Sequence, residues 1–231
     1  MTKITLYQYR ISPFADKVRR VLHVKGLAYD EVEILPSKAA KWKSVSPTGK
    51  FPVIDYGAER IVDSTSIIRH LEAEHANPPL IPADPAARAL SHILEDWADE
   101  SLYFYDLAIR TKRHNVKRLV DDVARFESGL TKLLLGRVLP GAADKIAKTQ
   151  GLGRKDAPTL AEEIGNHFAA LDGLVSSKDW LCGDALSIAD IAVASMIFVL
   201  IRADEPAELL PQFANLTAWR ERVDQATLPP Q

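Results

Sequence analysis

The sequence predicts an α/β N-terminal domain followed by an all-helical C-terminal domain. Three observations carry that reading. Strand and helix signals alternate over the first 75 residues, prolines cluster just after them, and no convincing strand follows.

Residues 3–8 form a short β-prone run. Residues 13–25 place Phe14, Val18, Val21 and Leu22 on one helical face, and Gly26 follows where a left-handed cap is often needed. Residues 29–34 alternate, with Glu31 and Glu33 on one side and Val32 and Ile34 on the other, as in a half-buried strand. A short helix is expected over residues 37–45. Residues 52–56 and 59–62 read as a hairpin turning at Gly57. Ser64 is placed to cap a helix carrying Ile67, Ile68 and Leu71. The expected order is a parallel β-α-β unit and then an antiparallel β-β-α unit.

Four prolines fall within residues 77–85, and each removes a backbone donor. This sets a first domain of residues 1–77, a linker of 78–85 and a second domain of 86–231. Helices are expected over residues 85–113, 116–135, 159–176, 187–201 and 216–225. Residues 136–158, rich in glycine and holding Pro140 and Pro158, read as an irregular loop or a broken helix.

Composition removes several classes of function. Of the 231 residues, 47% are hydrophobic and 26% charged, enough for a sizeable core. A formal charge of −2 offers no general attraction to nucleic acid or anionic membranes, and neither partner is expected. Cys182 is the only cysteine, which excludes an intrachain disulfide, a CxxC redox pair and a multi-cysteine zinc site. It also fits a reducing compartment. No basic segment leads into an apolar one at the start, so no signal peptide and a cytoplasmic location are expected. The most apolar stretch, residues 188–201, is 14 long and contains Asp190. A membrane helix takes roughly 20 residues, so a buried helix is expected there. No P-loop or HExxH occurs, and no metal site is expected.

Four local patterns then appear in order. They are Ser12-Pro13-Phe14-Ala15-Asp16-Lys17-Val18-Arg19 with Val21-Leu22 and Lys25-Gly26; Lys50-Phe51-Pro52-Val53; Asp63-Ser64; and Leu186-Ser187-Ile188-Ala189-Asp190. In this order and spacing they resemble the cytosolic glutathione transferases. The first is most similar to the serine-type tau and cysteine-type omega classes. The resemblance implies a thioredoxin-like N-terminal domain that binds glutathione and an all-α C-terminal domain that shapes a second-substrate site.

Each pattern also has a physical reading. Ser12 with Pro13 is a natural helix start, and the same helix end favours an anion or a thiolate. The resemblance implies that Ser12 donates to the glutathione sulfur, with Tyr7, at the end of the first strand, as the alternative donor. Serine cannot form the mixed disulfide through which cysteine members transfer thiols. Pro52 is implied to follow a cis bond, so that the backbone of Phe51 pairs with the cysteinyl backbone of glutathione like an added strand. Phe14, Lys50 and Val53 are implied neighbours of the same ligand. Asp63 and Ser64 are implied to take the γ-glutamyl ammonium and carboxylate; Asp63 is one methylene shorter than the glutamate usual in the family. Ser187 to Asp190 is a capping box, with a structural role. Ile11, Tyr103 and Tyr105 are implied to line the electrophile site. Arg110 belongs to a basic cluster that reads as a solvated helix face, with the alternative that it faces the cleft and attracts an acidic substrate.

The expected function is glutathione transfer to a hydrophobic electrophile, with glutathione as co-substrate and a homodimer as the assembly. The alternatives are a glutathione-dependent isomerase or peroxidase, or a non-catalytic binding or assembly protein on the same scaffold.

Overall fold

Ile4, Leu6 and Gln8 alternate with Thr5 and Tyr7 along strand β1 (Ile4–Gln8), the first three buried and the other two partly exposed. The structure, a computed structural model, describes residues 2–229. Strand β2 (Asp30–Glu33) pairs parallel with β1, and β3 (Val53–Tyr56) pairs antiparallel with it. Strand β4 (Glu59–Val62) closes a hairpin on β3, giving the order β2-β1-β3-β4. Gly57 turns that hairpin at φ +64°, a backbone most residues avoid.

Helices α1 (Pro13–Val24) and α2 (Ser64–Glu74) lay Val18, Val21, Leu22, Ile67, Ile68 and Leu71 on Ile4, Leu6 and Ile54 of the sheet. Full burial of each large aliphatic stabilises by about 1.5–3 kcal/mol. The segment expected as a short helix over 37–45 is a 3-10 turn, Pro36–Trp42. Asp63, not Ser64, is the N-cap of α2: its carboxylate accepts from Ser66 N at 3.0 Å.

Residues 75–84 lie between α2 and the next helix and hold no helix or strand. The buried ammonium of Lys25 pins this stretch, donating to the carbonyls of His75 at 2.7 Å and Pro78 at 2.8 Å and pairing with Glu72. The second domain begins with α3 (Pro85–Trp97), a π-helical turn (Ala98–Leu102) and α4 (Tyr103–Arg110). These three form one run over the stretch expected as a single helix.

The chain departs most from expectation after α4. Instead of one helix over 116–135 and an irregular loop or broken helix over 136–158, α5 (Val116–Val123) is short and α6 (Gly129–Gln150) continues through Pro140. Leu139, Ala142, Ala143 and Ile146 recur at helical spacing and face a common cleft. Packing of one face decides such a segment against its propensity. Further on lie α7 (Ala157–Leu174), α8 (Ile188–Leu200), α9 (Asp204–Leu209) and α10 (Ala214–Thr227). Asp156 caps α7 by accepting from Thr159 N at 2.9 Å.

Asp190 is fully buried at the start of α8 and accepts four hydrogen bonds. Leu181 N (2.8 Å) and Trp219 Nε1 (2.9 Å) donate to one oxygen; Ser187 N (2.9 Å) and Ser187 Oγ (2.7 Å) donate to the other. The capping box is therefore also the joint between α8, α10 and the preceding loop.

The two domains meet across α1. Its outer face carries buried charges rather than apolar side chains. Asp16 accepts from Arg20 at 2.6 Å and from Ser195 of α8 at 3.0 Å. Arg20 donates to Thr227 at 2.7 Å, and Lys17 to Glu95 at 3.1 Å and Asp99 at 2.5 Å. Asp16 and Lys17 of the first sequence pattern, with the neighbouring Arg20, are thus interdomain fasteners. Ile188 and Ile191 of α8 complete the core of the first domain. Among the described residues no helix is long and apolar enough to cross a membrane.

Candidate functional site

A cleft of about 1660 Å³ opens between the N-terminal ends of α1 and α2, the turn before β3, and the helices α3 to α6. Six of the residues singled out from sequence, Ser12, Lys50, Phe51, Pro52, Asp63 and Ser64, line one end of it. Ile11, Phe14, Tyr103 and Arg110 line the remainder. Val53 and both tyrosines at positions 7 and 105 lie outside this lining.

Ser12 is held at the N-cap of α1 in extended backbone, φ −67° and ψ 128°. Its Oγ accepts from Ala15 N at 3.4 Å, so the hydroxyl proton is left for another acceptor. Pro13 brings no N–H to this end, and the helix dipole adds a positive potential there. Tyr7 faces the opposite way. Its hydroxyl donates to Asp55 at 3.0 Å, and Asp55 is in turn gripped by Arg60 at 2.7 and 2.8 Å. Burial and the Asp55 carboxylate both push the Tyr7 phenol above its ordinary value.

The Phe51–Pro52 peptide is cis. Ser46 Oγ donates to Lys50 O at 2.7 Å and holds the approach to it, while Phe51 packs edge-on against Tyr9 with centroids 5.5 Å apart. Val53 is fully buried in the core beneath this turn rather than in the cleft. Asp63 adopts φ 75°, unusual for a non-glycine residue. That backbone turns its carboxylate onto the end of α2, where the cap uses Oδ1. Ser64, the first residue of α2, is buried beside it.

On the other wall, Phe14 meets Tyr103 across the domain boundary at 5.0 Å between rings. Burial raises the Tyr103 phenol. Phe104 shares the lining, whereas Tyr105 points away: it donates to Glu163 at 3.0 Å and stacks edge-on with His167. Burial and Glu163 push the Tyr105 phenol up to about 12. Consecutive helical residues lie about 100° apart, so Tyr103 and Tyr105 cannot share one face. Arg110 is buried and bound to Asp122 at 2.7 Å, with Asp106 3.8 Å away. It is a neutralised cation, not the free one that an acidic substrate would need.

Sequence reading missed the cleft's buried acids. Asp99, on the π-helical turn, lines the cleft, and its Oδ1 has no hydrogen-bond partner among the described residues. Burial pushes its carboxyl up to about 6 against the pull of Lys17. Asp106 lines the same cleft, and burial raises it to about 6 as well. The Asp106–Arg110 spacing, four residues apart on one helix, was the available signal.

Residues 6–79 match the glutathione S-transferase N-terminal domain family, and residues 146–225 match the glutathione S-transferase C-terminal domain family. A zeta class glutathione S-transferase of Euphorbia esula is 31% identical over 233 aligned positions, covering 92% of this chain and 89% of that protein. FtsZ-localized protein A of Caulobacter vibrioides is 27% identical over 203, covering 85% of this chain and 76% of that one. The crystal structure of a theta class glutathione S-transferase from Xanthomonas axonopodis pv. citri with glutathione bound is similar at a TM-score of 0.67 and 21% identity, over 100% and 99% of the two chains. With both characteristic domains matched and a relative aligned along nearly the whole sequence, the chain belongs to the cytosolic glutathione S-transferase superfamily.

Proposed function

We propose that the protein is a glutathione transferase in which Ser12 stabilises the glutathione thiolate for attack on an apolar electrophile. The observation that carries this is the Ser12 hydroxyl, which lines the cleft, accepts from Ala15 N and has no acceptor for its own proton among the described residues. Glutathione loses its thiol proton to solvent on binding. Ser12 Oγ–H and the α1 dipole stabilise the resulting thiolate. The sulfur then forms a bond to the electrophilic carbon as the leaving group departs with its electron pair. Thiolate activation and proximity supply most of the acceleration. Asp63 and Ser64 hold the γ-glutamyl end, and the backbone at Phe51 holds the cysteinyl amide. Calorimetric titration with reduced glutathione tests this: saturable binding at one per chain is expected, and no heat at millimolar ligand removes the reading.

A second reading, an assembly protein on the same scaffold, is favoured by one observation. Leu130, Leu133, Leu134 and Val138 stand exposed along α6, and one relative bears the name FtsZ-localized protein A. That reading expects no glutathione binding, so the same titration separates the two. A further relative, of Caenorhabditis elegans, bears the name probable maleylacetoacetate isomerase and keeps glutathione-dependent isomerisation in view, and profiling with electrophiles against isomerisable substrates distinguishes it.

A further inference from the structure

Four charged side chains, Asp106, Arg110, Asp122 and Arg202, line the cleft together with the apolar Leu107, Leu119, Val123 and Phe126. They are not equally satisfied. Asp122 accepts from Arg110 at 2.7 Å and from Arg202 Nε at 2.5 Å, with a further bond from Arg202 Nη2. Asp106 has only the 3.8 Å approach of Arg110 Nη1, beyond hydrogen-bond range. Its Oδ1 and the Nε of Arg110 have no partner among the described residues, although the two residues are only 5% and 3% exposed. Leaving buried groups unmatched in this way costs about 1–3 kcal/mol each, and such exceptions call for an explanation.

We propose that Asp106 and Arg110 form a polar subsite that takes the hydroxyl group of an otherwise apolar second substrate. A hydroxyl is both donor and acceptor, so one group meets both needs: its O–H donates to Asp106 and its oxygen accepts from Arg110 Nε. No hydrogen bond fixes either oxygen of Asp106, and the torsion that turns its carboxyl is soft. A small rotation therefore presents the unpaired oxygen to the cleft. A substrate carboxylate does not fit. The two acids and two arginines sum to zero charge, and Asp106 would lie against the incoming anion. The burial of both unmatched groups makes the pairing selective, because a site built for a hydroxyl penalises the ligand that lacks it.

This rests on the glutathione reading, and the experiment separates the two. Product-like conjugates carry the second-substrate portion into the cleft without turnover. The affinities of S-benzylglutathione, its ortho-, meta- and para-hydroxybenzyl forms and S-(4-carboxybenzyl)glutathione would be measured by calorimetry on the full chain. At least one hydroxybenzyl isomer is expected to bind roughly tenfold tighter than the benzyl parent, the worth of one hydrogen bond to a charged group. The carboxybenzyl form is expected to bind no tighter than the parent. In Asp106→Ala the ratio between the best hydroxybenzyl form and the parent should fall to near one. Asp106→Val, which carries no acceptor, gives the same comparison if the alanine variant does not fold. Binding of the parent with no gain from any hydroxyl, or tightest binding by the carboxylate, overturns the subsite alone. Absence of binding by every conjugate overturns the glutathione reading and the subsite with it.

Discussion

Glu127 accepts two hydrogen bonds from Ser37, one from the backbone N–H at 2.9 Å and one from the hydroxyl at 2.8 Å. The pair joins the α5–α6 connection to the 3-10 turn of the first domain, and the neighbours Pro36 and Phe126 both line the cleft. The α5–α6 arm is thereby fastened across the opening at its far end. Because these bonds are exposed, their worth to global stability is small.

Glu127→Ala should therefore shift the unfolding free energy by no more than about 1 kcal/mol. Amide exchange in α5 and the first turns of α6 should accelerate severalfold, because a local opening no longer breaks this contact. Hydrogen-exchange mass spectrometry reads this directly. Exchange unchanged in both helices would mean that packing, not the clasp, holds the arm.

The two candidate thiolate donors make opposite demands. Ser12→Ala should lower turnover about 100-fold, as loss of one donor to a developing anion does elsewhere, while glutathione affinity changes little. It should also raise the thiol pKa of bound glutathione, followed by ultraviolet absorbance of the thiolate. Tyr7→Phe should leave turnover within severalfold, since the Tyr7 proton is already given to Asp55. Loss of turnover in the tyrosine variant alone would transfer the role to Tyr7.

Periodicity made the first domain legible because its sheet and two helices each bury one regular face. Val18, Val21 and Leu22, and likewise Ile67, Ile68 and Leu71, announce their faces in the sequence. The helix through Pro140 was not legible. Its apolar positions serve a cleft and a solvent face together, and proline and glycine argue for a break that packing overrides. Within the site, the helix ends at Ser12 and at Asp63-Ser64 were visible as capping chemistry, although the cap of the second is Asp63 and not Ser64. Asp99 and Asp106 were not, because a carboxylate on a long helix reads as solvated until tertiary structure buries it. The interdomain role of Asp16, Lys17 and Arg20 was hidden for the same reason.

The joint at Asp190 predicts a severe loss even for its isostere. Asp190→Asn replaces one oxygen by an NH2 group, and each oxygen now receives two donors. Whichever way the amide turns, its NH2 meets at least one N–H that cannot accept, Leu181 and Trp219 on one side or Ser187 N on the other. A cost of about 2–4 kcal/mol is expected, larger than the ~1 kcal/mol of an ordinary cap. Asp190→Ala should cost at least as much. Urea unfolding would measure both, and a loss under 1 kcal/mol for Asn would show that the four bonds are not worth their count.

Asp106 should weaken the fold as it ionises. Its folded carboxyl titrates near 6 because burial disfavours the charge, against an ordinary value of 3.8. Between these values the folded state binds more protons than the unfolded one, so this group's contribution to stability falls as pH rises from about 4 to about 6. Above that window the penalty is complete, and a shift of this size corresponds to at most about 3 kcal/mol. Asp106→Asn removes the titration and leaves Arg110 paired with Asp122. The variant should therefore be more stable than the parent at pH 7.5, with the advantage shrinking toward zero by pH 4. Unfolding curves for both proteins across that range provide the check. A variant less stable at pH 7.5 would mean that the Arg110 attraction outweighs burial and that the carboxylate belongs to a balanced ion pair.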